Sequence, residues 1–209
     1  MITLDIYSDP VCPWCFIGKA RLDRALESRP DHPFDIRWHP FQLNPDMPAD
    51  GMDRNEYMSL KFGDAAAVLD AYRPVIDAAQ DTGLVLDLPA ITRTPNTLDA
   101  HRLIHWAGLE GRQTAMVSTL FRAYFQQGRD IGDTATLLEL AQAVGLDRNL
   151  IARLLDSDAD RALIATADRD ARARGISGVP FFIVAQQYAI SGAQTVETWR
   201  NVIDEVGAR

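Results

Sequence analysis

The sequence predicts an α/β fold in which a four-stranded mixed sheet is interrupted by a large all-helical insertion. Three observations predict it. Residues 2–38 read as strand, helix, strand; residues 52–174 carry only helical periodicity; residues 181–206 return to two short strands and a closing helix. Strands from both ends of a chain bury their faces most economically in one sheet with helices packed on it.

Ile2–Tyr7 alternates Ile2, Leu4 and Ile6 with Thr3, Asp5 and Tyr7, the period of a half-buried strand, and Ser8-Asp9-Pro10 ends it. Pro13 suits the first turn of a helix, where a backbone donor is orphaned anyway. That helix runs to about Glu27, with Leu22, Ala25 and Leu26 on the side of Cys15. Pro30 and Pro33 bound a turn, Phe34–Trp38 alternates again, and Pro40 closes the second strand. Strand, helix and strand in this order predict a right-handed unit with parallel strands. Leu43-Asn44-Pro45-Asp46-Met47-Pro48 then has the composition of a linker.

Asp53–Phe62 is a short candidate helix, and Asp64–Gln80 follows, with Pro74 expected to kink or split it. Thr94-Pro95 reads as an N-cap and a proline at the first helical position, opening a helix to Ala107. Arg112–Gln127 ends at Gly128 and Asp133–Val144 at Gly145; Asp147–Leu155 and Asp158–Arg174 complete the run before Gly175. No period repeats, so a solenoid is not expected. Phe181–Val184 is a continuous apolar strand, Tyr188–Ile190 its hairpin partner and Thr195–Val206 the last helix. The expected division is residues 1–48 and 158–209 for the two parts of the sheet domain, and 49–157 for the helical insertion.

A net charge of −8 argues against nucleic acid or an anionic membrane as the main partner, since both need a basic surface. No stretch approaches the ~20 apolar residues of a membrane span. The amino terminus runs into the first strand without the pattern of a secretory signal, so the expected location is cytoplasmic. In that compartment a Cys-x-x-Cys pair is more often catalytic than a structural staple.

Cys12-Pro13-Trp14-Cys15 holds the only two cysteines, at the junction of strand and helix. There a thiol meets the positive end of the helix dipole, which favours the thiolate. Positions i and i+3 share a helix face, so the sulfurs could close a small disulfide ring. Half of a zinc site is the bland alternative, but structural zinc needs four ligands and no second cysteine pair exists. Among His32, His39, His101 and His105, only the last two share a helical spacing; no third ligand accompanies them, and no metal is expected. Helix capping accounts for Asn96 and Thr97. Trp38 and Phe41 read as core or groove wall. Met52, Tyr57, Met58 and Phe62 read first as packing within the insertion and second as a cover over the cleft.

The segments Tyr7-Ser8-Asp9-Pro10-Val11-Cys12-Pro13-Trp14-Cys15 with Ile17-Gly18, and Trp38-His39-Pro40-Phe41-Gln42-Leu43-Asn44-Pro45, resemble the DsbA-like oxidoreductases, most closely their FrnE-like branch. So do Pro95-Asn96-Thr97 with Ala100-His101, Gly175-Ile176-Ser177-Gly178-Val179-Pro180-Phe181-Phe182, and Ser191-Gly192-Ala193-Gln194, in the same order along nearly the whole chain. The resemblance implies a thioredoxin-like fold with a helical insertion. It implies Cys12 as exposed nucleophile, Cys15 as buried resolving thiol, and a cis Val179–Pro180 bond facing the pair, with Pro13 and Trp14 shaping the turn between the sulfurs. Trp38, Phe41, Asn96 and Thr97 become candidates for a substrate groove, the last two because they resemble a substrate-side motif of glutathione-dependent relatives. Some family members carry a further carboxy-terminal cysteine pair, which this chain lacks.

The function so implied is thiol–disulfide exchange with thiol- or disulfide-containing proteins or small thiols, with no bound cofactor and glutathione as a candidate co-substrate. Cytosolic glutathione and thioredoxin would favour a reductase, isomerase or stress role over net disulfide formation. One alternative is a glutathione-dependent transferase or isomerase of the kappa or hydroxychromene-carboxylate type. Those typically carry Ser at the first active-site position, so both cysteines argue against it. The other is a holdase-like chaperone, whose activity would survive loss of both thiols. The oligomeric state is not legible.

Overall fold

The computed structural model describes residues 1–208. Its elements begin with β1 (Ile2–Ser8), α1 (Pro13–Glu27), β2 (Phe34–Pro40), β3 (Met52–Asp53), α2 (Arg54–Phe62) and α3 (Ala65–Asp81). A single 3-10 turn (Leu88–Ala90) leads to β4 (Arg93–Thr94), α4 (Leu98–Leu109), α5 (Gln113–Gln127), α6 (Thr134–Ala143) and α7 (Arg148–Leu155). The chain returns to the sheet through α8 (Arg161–Ala173), β5 (Phe181–Val184), β6 (Tyr188–Ser191) and α9 (Val196–Gly207).

The main sheet has the order β2-β1-β5-β6. β1 pairs parallel with β2 and antiparallel with β5, so that Ile6 lies between Trp38 and Phe182, and β5 pairs antiparallel with β6. The alternation read in the sequence decides the faces. Leu4, Ile6, Trp38, Phe182 and Val184 join Phe16, Leu22 and Ala25 of α1 and Trp199, Ile203 and Val206 of α9 in one core. The Phe182 ring meets Trp199 edge-on at 4.7 Å. Phe16 stacks on Phe121 at 5.2 Å and on Phe125 at 5.8 Å, which ties α1 to α5. Tyr7 and Phe41 belong to a separate cluster with Ala171 of α8 and Ile176. Each large apolar side chain so buried contributes roughly 1.5–3 kcal/mol, before the entropy of ordering it.

Sequence reasoning missed a second, two-stranded sheet. Met52 pairs with Thr94 and Asp53 with Arg93, antiparallel. This ladder pins the base of the α2–α3 excursion, and Tyr124 of α5 fixes it by donating to the Arg93 carbonyl at 3.1 Å. Gly51 lets the strands approach: its φ is +70°, and a Cβ there would meet the Thr94 carbonyl oxygen at 2.7 Å. Thr94 is therefore a strand residue, not an N-cap. The helix expected from Pro95 starts at Leu98, whose N–H donates to Asn96 Oδ1 at 2.9 Å. Thr97 occupies the cap position without a capping side-chain bond. Pro74 does not split α3, which runs through it unbroken. α8 begins three residues later than expected, after Asp160 in the left-handed region (φ +57°). Among the described residues no helix is long and apolar enough to cross a membrane.

Candidate active site

Cys12 sits at the N-cap of α1, directly before Pro13, with an extended backbone (φ −90°, ψ 114°). The turn is built from the chain itself: Cys12 N–H donates to Asp9 O at 2.9 Å, and Cys15 N–H to Cys12 O at 3.1 Å. The Cys12 thiol makes no capping bond and points at the Val179 carbonyl, 3.6 Å away. The Val179–Pro180 bond is cis, as the family resemblance implies. Pro180 packs on α1 at Gly18, where a Cβ would lie 3.1 Å from the proline ring. α1 and the start of β5 thus meet as closely as a glycine permits.

Both cysteines are free, and both are buried, Cys12 with 4% of its surface exposed and Cys15 with 1%. The expected exposure of Cys12 does not hold. Burial pushes the Cys15 thiol well above its ordinary value, and the adjacent Cys12 adds to this by hydrogen bonding and by charge. The Ser8 hydroxyl and the Asp9 backbone offset part of the rise.

Cys12 is covered by the helical insertion. It opens into a cavity of about 320 Å³ bounded by Pro13, Trp14, Gly178 and Val179 on one side and by Tyr57, Met58, Phe62 and Tyr72 on the other. Tyr57, Met58 and Phe62 thus take up the cover role that ranked second in the sequence, while Met52 lies outside this cavity. Trp14 is half-buried and packs against Ile17, Val75 and Ala79, linking the cysteine turn to α3. Arg54 and Lys61 also line the cavity, and the sequence reading did not single them out. A signal existed. Arg54, Tyr57, Met58 and Lys61 fall at helical spacing on one face of α2, and an arginine at a helix start opposes the dipole.

The other candidates lie elsewhere. Trp38 is held by Gln113, which bridges its backbone at 2.9 and 3.0 Å, and by Thr114, which accepts from its indole at 2.9 Å. Phe41 is buried under the Arg172 guanidinium, 4.2 Å from the ring centre. Asn96 donates to Met47 O at 2.7 Å, and Gln42 reaches both Asn96 and Thr97 at 3.4 Å. None of the four lines the Cys12 cavity. His101 and His105 border a different cavity, of about 390 Å³, between α4, α5, α8 and the end of β2. His101 Nε2 faces Asp9 Oδ1 at 3.7 Å, both without a hydrogen-bond partner, while Asp9 Oδ2 accepts from Leu43 N–H at 2.7 Å. No group of three or more metal-ligating side chains occurs among the described residues.

The model of the DSBA-like thioredoxin domain family matches residues 3–204. The crystal structure of a probable DsbA oxidoreductase, SCO1869 from Streptomyces coelicolor, is 28% identical, with a TM-score of 0.87 over 100% of this chain and 91% of that one. The uncharacterized protein YwbO of Bacillus subtilis (strain 168) is 27% identical over 98% of this chain and 96% of its own length. The cytosolic disulfide reductase DsbM from Pseudomonas aeruginosa, solved with GSH, shares the fold at 22% identity and a TM-score of 0.71, covering 99% of this chain and 100% of that one.

Proposed function

We propose that this chain, which belongs to the DSBA-like thioredoxin domain family, is a thiol–disulfide oxidoreductase whose Cys12 and Cys15 form a reversible redox pair. The observation that carries the reading is the asymmetry of the two sulfurs: Cys12 borders a cavity large enough for a ligand, and Cys15 lies one helical turn behind it with its thiol held protonated by burial. Cys12 attacks a substrate disulfide and forms a mixed disulfide. Cys15 then attacks Cys12 Sγ, releases the second substrate thiol and leaves the protein oxidised. Run in reverse, the same pair donates a disulfide. The similarity to DsbM supports a cytosolic setting and a small thiol such as glutathione as co-substrate, and the retention of both cysteines supports exchange over a glutathione-dependent isomerisation.

Single-turnover exchange of the reduced protein with a disulfide tests the reading. Cys15→Ser is expected to stop at the mixed disulfide, visible by mass after acid quench. Release of both substrate thiols by that variant would contradict the assigned roles.

A further inference from the structure

We infer that Arg54 is the anion-recognition residue of the Cys12 cavity, and that the thiol or disulfide entering it is small and carries a carboxylate; this rests on the oxidoreductase reading of Cys12. The cavity, at about 320 Å³, lies at the lower end of the ~300–1,000 Å³ range of small-molecule sites. Cys12 is nearly closed off beneath α2 and α3, and the space left beside it is that of a small molecule.

The charge is the decisive feature. The chain carries a net −8, yet among the described residues neither Arg54 nor Lys61 forms an ion pair with a carboxylate. Arg54 uses its guanidinium on neutral oxygens, donating to Thr94 Oγ1 at 3.1 Å and to Tyr72 Oη at 2.7 Å. Its Nε is shielded from water and has no partner. The guanidinium lies 5.7 Å from the ring centre of Tyr57 and 6.0 Å from that of Tyr72, so aromatic faces stand where a counter-ion would. Lys61 donates to Tyr57 Oη at 2.9 Å and lies over the Tyr57 and Phe62 rings. Arg54 is half-buried and Lys61 exposed, so it is Arg54 that gives up part of its hydration without an anion to replace it, which is costly. Beyond these two bonds each Nη of Arg54 retains one N–H, and guanidinium N–H groups suit a carboxylate.

The chemistry balances. The Cys12 sulfur forms a bond to one sulfur of the anionic disulfide, and the other leaves as a thiolate that takes a proton from water. Cys15 then gives up its thiol proton and bonds to Cys12, expelling the second thiolate, which takes up a proton, so the two protons lost by Cys12 and Cys15 end on the two product thiols. Two electrons pass from the protein to the substrate, which ends as two thiols.

The test is the rate of single-turnover exchange of the reduced full chain with three aliphatic disulfides: 3,3′-dithiodipropionate (anionic), 2-hydroxyethyl disulfide (neutral) and cystamine (cationic). Each rate is normalised to that of a free small thiol with the same disulfide. The normalised rate is expected to be about tenfold or more higher for the anion than for the neutral compound, lowest for the cation, and to narrow its spread as salt is raised. Arg54→Gln is expected to bring anion and neutral to within about twofold of each other, and Arg54→Lys to keep most of the preference. No preference in the wild type, or a full preference in Arg54→Gln, overturns the assignment while leaving the oxidoreductase reading standing. No exchange with any of the three overturns both. Should Arg54→Gln fail to fold, the wild-type charge series with its salt dependence and the Arg54→Lys variant decide the matter.

Discussion

The floor of the Cys12 cavity and its roof are made differently. The floor, from α1 and the Val179–Pro180 segment, rests on a core in which Ile17, Phe182 and Trp199 are almost wholly buried. The roof, from α2 and α3, leaves Leu60, Leu69 and Ile76 exposed and holds itself by caps, Asp53 accepting from Asn55 and Glu56 N–H and Asp64 from Ala67 N–H. Close packing specifies the floor, which a fixed arrangement of two sulfurs needs. Caps, a two-residue ladder and one small apolar contact, Val75 and Ala79 on Ile17, specify the roof, which supplies the cavity's cations and tyrosines. Under the proposed function, the floor would carry the exchange and the roof would select its substrate.

The largest effect should fall on the floor. Cys12→Ser is expected to reduce disulfide exchange by at least ~10³-fold, because a hydroxyl is a far weaker nucleophile than a thiolate; substantial exchange in that variant would break the division. Next comes Trp199→Ala, expected to destabilise the protein by about 3–5 kcal/mol in urea unfolding through the cavity it leaves. Leu69→Ser on the roof should stay within about 0.5 kcal/mol, and equal losses from the two substitutions would remove the contrast.

Much of the floor was legible in the sequence because period-two alternation and the Cys-Pro-Trp-Cys turn have direct local causes. Leu4 and Ile6 are buried where their spacing puts them. The roof was legible only as helices. An amphipathic helix announces an apolar face but not the neighbour it meets, so Tyr57 and Met58 read first as internal packing. The β3–β4 ladder, two residues long, has no periodicity to read, and its pairing overrode the helix-start signal of Thr94-Pro95. The exposure of Cys12 was an expectation from the family resemblance alone, and the cover that closes over it is separated from it by some forty residues of sequence.

Two smaller effects sharpen the comparison. The folded protein keeps Cys15 as a thiol at a pH where an unfolded chain ionises it. Its stabilising contribution is thus complete below the ordinary thiol value of 9.0 and is lost as pH rises from there toward the raised folded value. Urea unfolding of the reduced protein between pH 8 and pH 10 should show a loss of up to about 1.4 kcal/mol per pH unit that Cys15→Ala lacks. An identical pH slope in the variant would mean that burial does not hold the proton. On the roof, Asp53→Ala removes the α2 cap and should cost about 1 kcal/mol. That loss is expected as faster amide exchange in α2 with β1 unaffected, and equal acceleration in both would show floor and roof opening as one unit.

The central claim is met most directly by equilibrating the protein in glutathione redox buffers and reading its mass after acid quench. A reversible loss of two hydrogens at a defined poise, abolished in Cys15→Ser, is the predicted result. No intramolecular disulfide at any poise would contradict the account.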